Sequence, residues 1–112
     1  MKSRKLYLRS IEVMLGLTKI DDIVDFDIRG IIRSAVEEME SKNKELNTIM
    51  KQCPYELKLA MVKFHENAAD LAEAEHGPYF TAEQFQQSIL KVLNGNPLNM
   101  MAVINKNKIN QN

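Results

Sequence analysis

The chain has 112 residues, 45% of them apolar and 27% charged, and its fifteen basic and fifteen acidic side chains give a formal net charge of zero. That length suits one domain, and the composition suits a packed core rather than disorder or a fibrous repeat. Charge balance argues against nucleic acid as a partner, which calls for a surplus of Lys and Arg on one face. A membrane span is not expected either, because Glu12, Lys19, Arg29 and Glu37 interrupt the apolar runs before the ~18 residues such a span needs.

The first helix is expected over Arg4–Leu17, with Ser3 as its N-cap. Leu6, Val13 and Leu17 form one apolar stripe and Leu8, Ile11 and Leu15 a second, so one flat contact cannot bury both. Either the helix is sandwiched within the monomer or its second stripe meets another chain. The basic start, Met1-Lys2-Ser3-Arg4-Lys5, resembles that of a signal peptide, but Arg9 and Glu12 break the following apolar stretch, so no leader is expected.

An acidic connector, Asp21 to Asp27, precedes a long helix that should be capped by Asp25 and run to Lys51. Ile28, Ile32, Ala35, Met39, Leu46 and Ile49 recur at steps of four and three, with Lys42 at the one missing place in the seam. Asp25-Phe26-Asp27-Ile28-Arg29-Gly30 imitates the start of a calcium-binding loop. The imitation fails where Arg29 and Val36 stand at ligand places, and helix capping accounts for the acids.

Cys53-Pro54 should end this helix and open a third that runs to His76, with Leu57, Met61, Phe64, Ala68 and Leu71 as its core stripe. A tight connector between two such helices predicts an antiparallel hairpin over 26–76 at the centre of the fold. Gly77-Pro78 is a stop. Thr81 and Gln84 have capping-box spacing and Phe80 and Phe85 staple spacing, which marks the start of a fourth helix, closed by Asn94-Gly95. Asn96-Pro97 could cap a short fifth helix carrying Leu98, Met101 and Ile104, while Asn105 to Asn112 should be loose. The expectation is an all-α bundle of four to five helices in one domain, ordered over about 3–95, with 96–112 a short helix or flexible tail.

Net charge alternates along the chain, +4 over 1–19, −5 over 20–40, +3 over 41–63, −5 over 64–83 and +3 over 84–112, which favours antiparallel neighbours without invoking a ligand. With Cys53 as the only cysteine no internal disulfide can form, and a reducing, cytoplasmic compartment is expected. Cys53 stands before a helix start, a place that can lower a thiol pKa, though a packed thiol is the simpler reading. His65 has no second histidine at metalloprotease spacing, since Ala69 occupies that place.

Glu73-Ala74-Glu75-His76 contains Glu-x-x-His, with Glu66 and Asp70 one and two turns earlier, as in carboxylate-bridged metal bundles. Such a site needs two motifs, so Glu66, Asp70, Glu73 and His76 would have to be completed by a symmetric dimer. The simpler reading, with no metal and no cofactor, is a solvated acidic face. No nucleophile triad or phosphate-cradling loop is present in the sequence, which argues against an enzyme.

The leading expectation is a non-catalytic regulatory protein that binds another protein or itself, as a homodimer, through Leu8, Ile11 and Leu15 on the first helix and Met100, Met101 and Ile104 near the end of the chain. Methionine-rich surfaces repack around different partners, although methionines more often fill cores. A carboxylate metal protein and a small immunity or anti-toxin-like protein, the latter on fold-level analogy alone, are the alternatives.

Overall fold

The structure is a computed structural model that describes the backbone of residues 1–42 and 44–110 and the side chains of residues 1–42 and 44–106. Among the described residues there are six α-helices and no strand: α1 Ser3–Met14, α2 Phe26–Lys42, α3 Lys44–Lys51, α4 Lys58–His76, α5 Ala82–Val92 and α6 Met100–Asn110. Short 3₁₀ turns at Ile20–Asp22, Tyr55–Leu57 and Pro97–Asn99 lead into α2, α4 and α6.

Several helix ends form where local chemistry predicts them. Asp25 Oδ1 accepts from the backbone N–H groups of Asp27 and Ile28, at 2.9 and 3.1 Å, satisfying donors that have no partner inside α2. Thr81 Oγ1 accepts from Gln84 N and Gln84 Oε1 accepts from Thr81 N, a complete capping box at the start of α5. Phe80 and Phe85 close the staple, with ring centroids 5.9 Å apart. The end of α1 lies three residues before the predicted one. Gly16 takes a left-handed φ of 76°, and Leu17 N donates to Glu12 O while Gly16 N donates to Val13 O, the paired bonds of a Schellman stop.

Ser3 does not cap α1. Its hydroxyl donates to Phe80 O at 2.6 Å and its N–H to Pro78 O, so it stitches the start of α1 to the connector before α5. Over the predicted long helix of 25–51 the described residues form α2 and α3, on either side of residue 43. Asn47, nearly buried, reaches back from α3 and donates through Nδ2 to Glu40 O at 2.8 Å, a side-chain bond that ties α3 to α2.

The centre of the fold is α4 alone rather than a hairpin over 26–76. Its main neighbours are α1, α5 and α6, whereas α2 lies chiefly against α1 and α5. The cause is in the sequence of α4: besides the predicted stripe of Met61, Phe64 and Ala68, the alanines 60, 69 and 72 are fully buried. Small side chains on a second side let neighbouring backbones come close, so α4 is enclosed from several directions.

α6 also corrects the sequence reading. Asn96 Oδ1 accepts from Leu98 N, Pro97 opens the turn, and the helix runs to Asn110 with Met100 and Ile104 fully buried in the main core. The loose tail expected from Asn105 onward is therefore helical as far as Asn110; residues 111–112 lie outside the described residues.

The same burial settles the position of α1. Leu8, Ile11 and Leu15 are 9%, 2% and 4% exposed, and the helix is sandwiched between α2 and α4 inside one chain. Replacing all three by Ser should therefore unfold the domain, since truncating even one large buried aliphatic costs about 2–5 kcal/mol. A chemical melt should show no folded baseline for that variant, while Leu59→Ser, at a position 72% exposed, should melt like the parent.

Candidate functional site

Five of the six predicted interaction residues, Leu8, Ile11, Leu15, Met100 and Ile104, are core, and Met101 is partly buried against it. The five core residues offer no surface to a partner, because the chain's own helices already cover them; Met101 keeps part of its side chain exposed.

The predicted metal residues fare no better within one chain. Arg4 Nε donates to Asp70 Oδ1 at 2.7 Å, and this hydrogen bond, with the nearby charges of Glu66 and Glu73, raises the guanidinium pKa. A cation therefore already sits among the three carboxylates. His76 stands 3.7 Å from Glu75, whose carboxyl is lowered first by its 2.8 Å hydrogen bond from Lys91. No group of three or more His, Cys, Asp or Glu side chains converges among the described residues.

Cys53 is buried, and burial pushes its thiol pKa up, so this is a packed thiol rather than an activated one. No helix among the described residues is long and apolar enough to cross a membrane.

His65 is almost fully buried and lines a small, mostly apolar cavity of about 30 Å³ with Met14, Met39, Met50 and Phe85. Its Nδ1 lies 2.8 Å from Met61 O, an acceptor only, so Nδ1 carries the hydrogen and the neutral ring leaves Nε2 as the acceptor. Burial lowers its pKa from 6.5 to about 4, against a smaller upward pull from the Met61 bond. The cavity has the size of one or two water molecules, far from the several hundred Å³ of an ordinary ligand pocket. His65 is thus a core residue, held edge-on to Phe64 with centroids 5.0 Å apart.

The surface with the most unusual chemistry lies at the start of α2. Val24, Phe26 and Ile31 are 93%, 80% and 46% exposed within eight residues of chain. Phe26 and Ile31 border an open groove of about 750 Å³ between α1 and α2, whose apolar lining also includes Leu6, Tyr7 and Ala35. Both charged residues lining it, Asp27 and Glu38, are acidic. The sequence contained a signal for this surface: Phe26 and Ile31 fall off the seam of Ile28, Ile32, Ala35 and Met39, and α2 cannot turn both sets inward. Other exposed apolar side chains, Tyr55, Leu59, Tyr79 and Leu98, border none of this groove.

Gly30 belongs to the same groove. It is exposed inside α2, and a Cβ added there would meet no atom within 4 Å. Neither a positive φ nor intramolecular crowding requires glycine at this place.

Two stability measurements test these assignments. Gly30→Ala should stabilise the isolated chain by roughly 0.5–1 kcal/mol, because glycine in a helix interior carries extra unfolded-state entropy. His65 takes up its proton near pH 6.5 when unfolded and only near 4 when folded, so its share of stability is complete above 6.5 and lost as pH falls toward 4. Between pH 7 and 4 the parent should lose about 3 kcal/mol more than His65→Leu in parallel denaturant melts.

No family model, no curated protein and no solved structure matches this chain.

Proposed function

We propose that this chain is a non-catalytic interaction protein that binds and modulates another protein, and that it does so as a monomer through the face at the start of α2. The observation that carries this reading is the pair Phe26 and Ile31, both exposed and both lining one open groove, with exposed Val24 two residues before Phe26 in the chain. Scattered exposed apolar residues are ordinary; a contiguous group beside a concave surface marks a binding site. The homodimer expected from α1 loses its basis, since the stripe that would have formed it lies inside the subunit.

The supporting electrostatics are simple. Titratable groups in the interior are few: buried His65 is neutral, and Tyr7, at the groove floor, is held protonated first by burial and then by the nearby Glu38 charge. The α1–α2 groove offers shape and apolar area rather than charge of both signs.

In solution the full chain should scatter light as a monomer of 12.9 kDa. The double variant Phe26→Ser/Ile31→Ser should keep the parental melting temperature yet fail to retain a protein that the parent and a Leu59→Ser control both capture from the native host. Identical capture by all three, or by none, would refute the reading.

A further inference from the structure

The groove's lining points to a particular kind of occupant, and this inference rests on the interaction reading above. We infer that the α1–α2 groove takes an amphipathic helix of a different protein that presents large apolar side chains between two cationic residues about three turns apart, seated directly against Gly30. Asp27, Ile31, Ser34 and Glu38 follow one another along one face of α2, so the apolar Ile31 lies between two carboxylates. Those carboxylates stand eleven residues apart, roughly 16 Å along the helix axis. Among the described residues neither is in an ion pair. A Lys or Arg on each side of an apolar anchor would meet both.

Gly30 is the second, independent observation. A glycine in an exposed helix interior weakens the helix, and among the described residues nothing occupies the space its missing side chain leaves. A backbone approaching from outside is the use for such a position, as where small residues let two helices come close.

A second copy of the chain fits poorly. Pairing α2 with its own copy, in either direction, sets carboxylate against carboxylate at Asp27 and Glu38. The cationic residues of α1, Lys5 and Arg9, with Lys2 just before the helix, have as their exposed large apolar neighbour in sequence only Met1, which precedes them rather than lying between them.

The test uses the full chain and a pair of labelled helical peptides of about 18 residues, one with Lys at two positions eleven apart and Leu and Phe between them, the other with Glu in place of Lys. Fluorescence anisotropy should show the Lys peptide binding at least about tenfold more tightly than the Glu peptide. Asp27→Lys/Glu38→Lys should invert that preference, and Gly30→Trp should abolish binding of the Lys peptide while its melting curve stays at or above the parent's. Equal binding of both peptides, binding of neither, or binding unaffected by Gly30→Trp would overturn the inference, as would a dimer in light scattering that Gly30→Trp dissolves. If Phe26→Ser/Ile31→Ser still loses its captured protein while the peptides show no preference, the interaction reading survives and the assignment of a cationic helix falls.

Discussion

Three aromatic rings drawn from distant parts of the chain meet at one place. Tyr7 of α1 stacks on Phe80 and Phe85, with centroids 5.8 and 5.5 Å away, and Phe85 in turn faces His65 of α4 at 6.2 Å. Large rings contribute more buried area per residue than any other side chain, and their offset geometry adds directional preference. This contact binds the first helix to the connector before α5 and both to the central helix, and Ser3 reinforces it through its bonds to Pro78 and Phe80. Without it α1 would have no reason to lie in the cleft where its second stripe is covered.

From that arrangement follows the change in where the chain can meet a partner. Enclosing α1 places Leu8, Ile11 and Leu15 in the core, and enclosing α6 does the same for Met100 and Ile104. α2 is left with a single intramolecular side, against α1 and α5, and its remaining apolar residues stay outside. A helix at the periphery with two apolar directions and one set of neighbours exposes the other direction.

The alternating charge blocks have a more modest part. Arg4 of the first, basic block pairs with Asp70 of an acidic one, and Lys91 with Glu75, each linking helices that are spatial neighbours. Exposed pairs of this kind contribute little to stability. Their value lies in disfavouring arrangements that would bring like charges together, which is how a neutral chain with uneven charge selects among helix packings of similar apolar burial.

Much of the local architecture was legible in residue order. The all-helical class, the Asp25 cap, the Thr81–Gln84 box with its Phe80–Phe85 staple and the stops at Gly77 and Gly95 each depend on side chains within a few residues of one another, so short-range chemistry is sufficient. What only the tertiary structure decided were matters of which surface faces which. Periodicity showed that α1 has two apolar stripes but not that the stripe of Leu8, Ile11 and Leu15 would be buried between α2 and α4 while Leu6 of the other borders an open groove. It showed a seam through residue 42 but not that Asn47 would reach back to the carbonyl of Glu40. It read the end of the chain as polar, although burial of two side chains, Met100 and Ile104, holds that helix in place. Apolar spacing reports how many faces a helix must bury; the neighbours that bury them come from parts of the chain far away in sequence, and no local pattern encodes their identity.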